Sequence, residues 1–181
     1  MVSSPLYETL RLAQRFGFFG PGSLDDAISH AEGFVPALGV VEPGSRIIDL
    51  GSGGGLPGLV VAEACRDSTV VLLDRRQKRT DFLLQAVSRL GWDHVMVWHD
   101  DAERIVGDIR AGHIPGFDLV VARGFGPPAT TLRIAVGVSV PGASIVISEP
   151  PSENRWDPAL VASLGLTDIR VGRYRRFHRD A

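Results

Sequence analysis

The residues best suited to bind a ligand lie in the segment Arg46-Ile-Ile-Asp-Leu-Gly-Ser-Gly-Gly-Gly-Leu-Pro-Gly58. Its apolar start predicts a strand ending at Leu50, and a helix is expected from near Pro57, because proline suits a first helical turn, where no amide hydrogen is needed. The glycines between them let the main chain approach a ligand closely, and the start of the helix presents unpaired N–H groups. At the carboxyl edge of a parallel sheet, such a turn forms a ligand-binding crevice.

Two interpretations of this turn overlap. Gly53, Gly55 and Gly58 satisfy the G-x-G-x-x-G pattern of dinucleotide-binding proteins. Counted from Asp49, the segment is instead acid-x-Gly-x-Gly-x-Gly, which resembles the first motif of the methyltransferase superfamily. A carboxylate at this turn opposes a pyrophosphate but suits the ammonium and sulfonium groups of S-adenosylmethionine, so we favour the second interpretation. A nucleotide site and a purely structural glycine turn remain the alternatives.

Acidic residues also follow the next two apolar runs. Asp74 ends the second run, 23 residues after Gly51, where an acid can accept hydrogen bonds from both hydroxyls of a ribose. Its alternative role is to cap the next helix, and the two roles are compatible. After the third run comes His99-Asp-Asp-Ala-Glu-Arg104, a loop that would lie beside the adenine, although Asp100 could simply cap a helix.

The chain around these residues alternates between short apolar runs and helical segments. Strands are predicted at Arg46–Leu50, Thr69–Leu73, Val95–Trp98, Phe117–Ala122 and Ser144–Ser148. Helices are predicted near 58–66, 77–90, 101–111, 127–138 and 157–164. Continuous β-branched runs separated by helices indicate a buried parallel sheet with right-handed crossovers. Leu166–Val171 and Tyr174–His178 are expected to pair as an antiparallel hairpin at its edge, which completes a doubly wound α/β fold.

The residues before this pattern are predicted to form two helices. Apolar residues recur at helical spacing over 5–16, and a second apolar stripe follows an N-cap at Ser23. We expect a single domain, residues 1–181, in which 1–42 form an N-terminal helical cover and 43–181 form the α/β core.

Composition narrows the possible partners. A formal net charge of −2 gives no general attraction to nucleic acid, so any RNA contact must use a local patch. The single cysteine, Cys65, excludes an internal disulfide and a cysteine-rich zinc site, and no metal is expected. No apolar run approaches the roughly eighteen residues of a membrane helix, and the N-terminus lacks a signal layout, so a cytoplasmic protein is expected.

Five segments carry a narrower resemblance: Ser23-Leu-Asp-Asp-Ala-Ile-Ser-His30, Asp49 to Gly58, Leu73-Asp-Arg-Arg-Gln-Lys-Arg-Thr-Asp-Phe-Leu84, Ala102-Glu103 and Phe117-Asp-Leu-Val-Val-Ala-Arg-Gly-Phe125. On these segments, over about residues 23 to 149, the sequence resembles the RsmG family, also called glucose-inhibited division protein B. The resemblance implies the Rossmann-like fold of class I methyltransferases, with S-adenosylmethionine as cofactor. It also implies methylation of N7 of a guanine in small-subunit ribosomal RNA, so ribosomal RNA or the small ribosomal subunit would be the partner.

Carried over by position, the resemblance implies roles for individual residues. Those expected around the cofactor are Gly51, Leu56, Ala102, Glu103 and Arg123, next to Asp49 and Gly53 of the turn, and Asp74 would hold the ribose. Arg123 is also the candidate catalytic residue, because it would face the target base and donate near guanine O6. A lone strand-end arginine can instead pair with a carboxylate or a helix. Lys78 and Arg79 match basic positions that could contact cofactor or RNA, or form a solvated helix face.

Methylation of guanine N7 mainly requires that the protein align the acceptor with the methyl group, because N7 carries a free lone pair and loses no proton. An oxygen or amine acceptor would more often need a general base. His30, His99 and His113 could serve as one, although a surface or structural role is favoured for each.

Two segments depart from the family pattern. Phe18-Phe-Gly-Pro-Gly22 replaces the family's Asn-Leu-Thr, and Ser148-Glu-Pro-Pro151 replaces a Lys-Gly after the fifth strand. The second change removes a cation and is expected to place the Glu149 anion beside the site. A methyltransferase acting on a small molecule or a protein, and a non-catalytic cofactor-binding module, therefore remain open.

An RNA-binding surface could lie in the tail Arg170-Val-Gly-Arg-Tyr-Arg-Arg-Phe-His-Arg179. Its five arginines and two aromatic residues could contact phosphates and stack on bases. Arginines on an exposed edge strand also prevent strand pairing, which is the alternative. Phe125, Trp92 and Trp98 are further candidates for stacking, although packing in the core is favoured for Trp98.

Overall fold

The computed structural model describes residues 1–150 and 154–180 as one seven-stranded sheet with helices on both faces. The strands are β1 Arg46–Leu50, β2 Thr69–Asp74, β3 Val95–His99, β4 Phe117–Ala122, β5 Ser139–Ser148, β6 Leu166–Val171 and β7 Tyr174–Arg179. The helices are α1 Ser4–Arg15, α2 Leu24–Glu32, α3 Phe34–Leu38, α4 Gly58–Ala64, α5 Gln77–Leu90, α6 Ala102–Arg110, α7 Pro128–Val138 and α8 Pro158–Ser163.

The strand order is β3-β2-β1-β4-β5-β7-β6. Strands β1 to β5 are parallel, and β7 lies antiparallel between β5 and β6. The predicted doubly wound sheet with an antiparallel C-terminal hairpin is therefore confirmed. The chain reverses its direction of winding between β1 and β4, and the carboxyl ends of the strands at such a switch point form a crevice for ligands.

Two apolar layers cover the sheet. Alternate residues of the buried strands face opposite layers, as Ile47 and Ile48 of β1 do. The first layer packs β1 and β2 against α1 to α5, and the second packs the other face against α6, α7 and α8. The N-terminal helices thus bury their apolar stripes in the same layer as the helices that follow β1 and β2.

The second predicted helix is in fact two, so the prediction of two N-terminal helices was wrong. The chain breaks at Gly33 because Pro36 has no N–H to donate to the preceding turn. The Tyr174 hydroxyl donates to the carbonyl oxygen of His30 and lies 2.2 Å from where a Cβ at Gly33 would be. Glycine at this position therefore lets the C-terminal hairpin contact the end of α2.

The fifth strand begins earlier than the predicted Ser144. Ser139 pairs with Phe117 and Ser144 pairs with Leu119, so four residues of β5 bulge between two neighbouring pairs. Pro141 and Gly142 lie in this bulge, which explains why the sequence pattern indicates a turn there. Nowhere in residues 1–150 and 154–180 is a helix both long and apolar enough to cross a bilayer.

Candidate functional site

The turn between β1 and α4 brings the backbone close to two neighbouring segments. Gly51 has a φ of +72°, which L-residues rarely adopt, and a Cβ there would meet the Phe125 ring at 2.9 Å. At Gly58 a Cβ would lie 2.4 Å from both Asp49 Oδ2 and Leu72 Cδ2. These two contacts explain the glycines at both ends of the turn: one admits the loop after β4, and the other lets α4 begin directly against the sheet.

Asp49 is a carboxyl group enclosed by protein. Its side chain is 1% exposed, Oδ2 accepts a hydrogen bond of 3.0 Å from the Gly58 N–H, and Oδ1 has no hydrogen-bond partner among the described residues. Burial raises its pKa from 3.8 to about 7, although the Gly58 N–H and the charge of Arg123 oppose the rise. A cation placed nearby would therefore stabilise the ionised form.

Asp74 joins the end of β2 to the glycine turn. Oδ2 accepts a hydrogen bond of 2.9 Å from the Gly53 N–H and lies 3.4 Å from Arg79 Nη1, while Oδ1 accepts a bond of 2.9 Å from the Arg76 N–H. The capping role and the ligand-binding role remain compatible, because a carboxylate offers about four acceptor positions and three are occupied here.

A cavity of about 450 Å³ opens at this carboxyl edge of the sheet. It brings together four of the residues predicted to contact a cofactor: Gly51, Asp74, Ala102 and Glu103. The segment after β3 contributes the acidic residues Asp100, Asp101 and Glu103 to its lining, and the segment after β2 contributes the basic residues Arg75, Arg76 and Arg79. Its volume is in the range of cofactor-binding pockets.

Three other predicted cofactor residues lie outside this lining. Gly53 contributes its N–H to Asp74, and Asp49 lies buried next to the turn. Leu56 is 7% exposed and packs into the first apolar layer. Their predicted roles stay predictions.

Arg123, predicted both as cofactor contact and as catalytic residue, points to a different cavity. Its Nη1 donates to the Ala27 carbonyl oxygen of α2 at 3.3 Å, and burial lowers the pKa of the guanidinium while Asp49 opposes this. The second cavity, of about 280 Å³, is bordered by α2, the loop before it, Arg123 and Arg173. Arg123 therefore lies between Asp49 and this second cavity.

The three candidate bases lie in different environments. Burial, reinforced by the charges of Arg123 and Arg173, lowers the pKa of His30 from 6.5 to about 4, so His30 is neutral at pH 7. His99 Nε2 lies 3.1 Å from the Arg75 carbonyl oxygen. His113 contacts Asp108 just before β4, at the opposite edge of the sheet from both cavities.

Glu149 does not face either cavity. The side chain is 3% exposed, accepts a hydrogen bond of 2.6 Å from Trp156 Nε1, and lies 3.4 Å from Arg175 Nε and 3.8 Å from Arg170 Nε. The expected anion beside the site is thus paired with arginines of the C-terminal hairpin. Pro151, the end of that departing segment, lies outside the described residues.

Most of the arginine-rich tail is also structural. Arg175 pairs with Asp168 at 2.8 Å, and Arg179 donates to the Val136 carbonyl oxygen at 3.0 Å. Tyr174 and Phe177 are 7% and 0% exposed, so their rings have no open face for a base.

The other candidates for stacking differ in their surroundings. Trp92 is buried, and Trp98 packs edge-on against Phe117. Phe125 borders the first cavity, where one ring edge contacts Gly51.

The sequence indicated Arg173 as one of five arginines of the tail and Phe19 as part of a segment that departs from the family pattern, but it placed neither at the site. Both border the second cavity, and the Phe19 ring lies 2.6 Å from where a Cβ at Gly54 would be. The signal for Arg173 was present in the predicted hairpin: the start of a strand antiparallel to β5 must lie at the carboxyl end of β5. For Phe19 no local signal exists, because its contact depends on how the N-terminal segment folds back.

The sheet order and the crevice define the class I methyltransferase fold. The cofactor-bound Rv0187 from MTB has a TM-score of 0.72 at 18% identity, covering 99% of this chain and 92% of that chain. A SAM dependent methyltransferase from Aquifex aeolicus has a TM-score of 0.59 at 16% identity, covering 98% and 97%.

Within this fold class, the chain belongs to the family of rRNA small subunit methyltransferase G, whose model (GidB) matches residues 25–147. A relative named ribosomal RNA small subunit methyltransferase G, from Thermobifida fusca, is 32% identical over 151 residues, 77% of this chain and 61% of the relative. The one from Ralstonia nicotianae is 34% identical over 102 residues, 56% of this chain and 43% of the relative. The chain spans about half the length of the curated relatives that it matches. The resemblance deduced from the five segments is confirmed.

Proposed function

We propose that this protein is an S-adenosylmethionine-dependent methyltransferase whose acceptor is N7 of a guanine in small-subunit ribosomal RNA. The observation that carries the proposal is the pair of buried carboxylates, Asp49 and Asp74, on either side of a glycine turn at the switch point of the sheet. Membership of the family and the names of the relatives supply the acceptor.

The first cavity fits an adenosine. Asp74 keeps acceptor capacity on Oδ1 for ribose hydroxyls, and the Arg79 contact at 3.4 Å is the one most easily exchanged for a ligand. Ala102 is the first residue of α6, so its N–H has no partner within the helix and can donate to the adenine edge. Glu103 borders the same space.

Asp49 fits the methionine end of the cofactor by charge. Within the described residues its Oδ1 has no hydrogen-bond partner, and burial raises its pKa, so a nearby ammonium or sulfonium would stabilise the ionised carboxylate. When bound, S-adenosylmethionine supplies an electrophilic methyl group at its sulfonium. The chain's own task is then to exclude water and to hold the acceptor in line.

Arg123 is the residue proposed to assist the acceptor. A guanidinium held by α2 can donate to guanine O6 and so orient the base with its N7 lone pair in line with the methyl group. No proton must be removed from N7, which agrees with a neutral His30 whose pKa is about 4 and which is a weak base.

A small-molecule or protein acceptor is the second candidate. The net charge of −2 favours it, because the chain as a whole does not attract RNA. The substitution at Glu149 favours it less than the sequence suggests, since that carboxylate is paired within the hairpin.

The test is transfer of a tritiated methyl group to small ribosomal subunits and to protein-free small-subunit RNA from cells lacking this protein. We expect 7-methylguanosine in the digested RNA, and none with Asp74→Ala. Titration with S-adenosylhomocysteine separates the outcomes. Tight cofactor binding without RNA methylation would indicate that the protein methylates another acceptor or is a non-catalytic module. Absence of cofactor binding would refute the proposed function.

A further inference from the structure

The second cavity, of about 280 Å³, is distinct from the one that fits an adenosine. It lies between the loop before α2, α2 itself and the turn of the C-terminal hairpin. The polar side chains of its lining are those of Gln14, Ser23, Asp26, His30, Arg123 and Arg173.

In the part of the chain that the structure describes, no carboxylate lies within ion-pair distance of either guanidinium group of this cavity. Across residues 1–150 and 154–180, neither Arg123 nor Arg173 forms an ion pair, although most arginines of the same hairpin contact carboxylates or carbonyl groups. Asp26 is the one acidic residue in the lining, so the lining carries a net charge of +1 when His30 is neutral. An arrangement of this kind attracts an anion.

His30 adds an unsatisfied hydrogen-bonding atom. Its Nε2 is buried without a partner in the described residues, while the ring packs against Phe34 and Tyr174 at centroid distances of 6.0 and 5.3 Å. The Tyr174 hydroxyl also donates to the main-chain carbonyl oxygen of His30, so the backbone of His30 is held as well. A buried polar atom that the fold leaves unpaired is a place where a ligand can bond.

The cavity also adjoins the glycine turn. Phe19 forms one wall and packs on Gly54, and Arg123 faces both the cavity and Asp49. An anion bound here would lie beside the cofactor site but would be reached from solvent through Arg173, which is exposed at the hairpin turn.

We propose that the second cavity binds a phosphate group of the acceptor, which on the proposed function is a phosphodiester of the RNA next to the methylated nucleotide. Arg173 makes the main charged contact, and His30 Nε2 bonds a phosphate oxygen in its N–H tautomer. Guanidinium groups match phosphate geometry, and phosphate contacts fix the position of a nucleic acid without reading its sequence. Arg173 is therefore a positioning residue for the acceptor.

The experiment compares wild type with Arg173→Ala, Arg173→Lys and the matched control Arg133→Ala, which removes the same charge from an exposed site on α7. RNA affinity is measured against salt concentration, and S-adenosylhomocysteine affinity is measured in parallel. Loss of one phosphate contact should lower the slope of log K against log salt by about 0.7 to 0.9. We expect this for Arg173→Ala, with a KM for RNA raised about tenfold, and with kcat and cofactor affinity changed less than about twofold. Arg173→Lys should keep the slope, and Arg133→Ala should resemble wild type.

A second measurement does not depend on methylation or on RNA. Inorganic phosphate is titrated while the His30 imidazole is observed by NMR, and we expect phosphate to raise the His30 pKa in wild type but not in Arg173→Ala. The inference is overturned if phosphate leaves the His30 pKa unchanged. It is also overturned if Arg173→Ala weakens the binding of S-adenosylhomocysteine instead of the binding of RNA. If wild type methylates no RNA but phosphate still shifts His30 through Arg173, the proposed function fails while the phosphate site stands.

Discussion

The buried carboxyl group of Asp49 makes the stability of the fold depend on pH, and Asp49→Asn should remove that dependence. In the unfolded chain the carboxyl ionises at 3.8, whereas in the folded protein it keeps its proton to about pH 7. Between these values the folded state binds more protons than the unfolded state, so the free energy of unfolding falls as the pH rises. Above about pH 7 the loss is complete.

The size of the effect follows from the separation of the two pKa values. About three pH units correspond to about 4 kcal/mol, a large part of the 5 to 15 kcal/mol that stabilises an ordinary domain. An asparagine can still accept the Gly58 N–H through its amide oxygen and carries no charge to bury. As the pH is raised from 4 to 8, the free energy of unfolding of Asp49→Asn should therefore rise relative to that of wild type by up to about 4 kcal/mol.

The difference between variant and wild type must be measured, because His30 titrates in the opposite sense over the same range. Its folded pKa of about 4 lies below 6.5, so stability from His30 is gained as the pH rises. Urea unfolding of both proteins at each pH cancels this contribution, and the exposed Asp93→Asn serves as control. A difference that stays flat with pH, or that favours wild type at pH 8, would refute the burial of a protonated carboxyl.

The same substitution tests the cofactor role separately. The cationic methionine end of the ligand would favour the ionised form of Asp49. The affinity of wild type for S-adenosylhomocysteine should therefore rise by up to about tenfold for each pH unit as the pH is raised towards 7. Asp49→Asn should bind weakly and without that slope. If stability behaves as expected but cofactor affinity does not change with pH, Asp49 is buried without facing the ligand.

Three further outcomes are expected. Asp74→Asn should lower S-adenosylhomocysteine affinity at least about tenfold by calorimetry, since an amide cannot accept the same set of hydrogen bonds, and unchanged affinity would exclude a ribose contact. Arg123→Ala should reduce turnover about a hundredfold while cofactor affinity changes less than about threefold, and a loss confined to cofactor affinity would move Arg123 from the acceptor to the cofactor. Gly58→Ala should destabilise the fold by about 1 to 3 kcal/mol in urea unfolding, because the new methyl meets Asp49 and Leu72 at 2.4 Å; wild-type stability would show that α4 shifts freely.

The strands and helices of the core were predictable because each buried run is continuous and is closed by a turn. The strand Phe117–Ala122 and the helix Gln77–Leu90 have the predicted bounds. The contact of the Tyr174 hydroxyl at the break between α2 and α3 was not predictable, since Tyr174 lies more than 130 residues away in the chain. The early start of β5 was hidden by Pro141 and Gly142, which are ordinary turn residues outside a bulge.

The candidate site divides in the same way. Parallel strands bring their carboxyl ends to one edge, so the meeting of Gly51, Asp74 and Glu103 could be predicted from strand ends alone. The second cavity could not, because His30, Arg123 and Arg173 come from three distant segments and meet only when β7 inserts between β5 and β6.

The insertion of β7 also shows how the lysine that this chain lacks after the fifth strand can be replaced. Ser148 pairs with Tyr174, and the Glu149 N–H donates to the Arg173 carbonyl oxygen at 2.8 Å, so Glu149 and Arg173 face each other across two neighbouring strands. The glutamate side chain turns towards Trp156 and Arg175, while the arginine side chain borders the second cavity. A positive charge at the end of β5 is therefore supplied from the adjacent strand. An acceptor that needs a cation there can still be accommodated, which is why the change of sequence at Glu149 does not by itself argue for a different substrate.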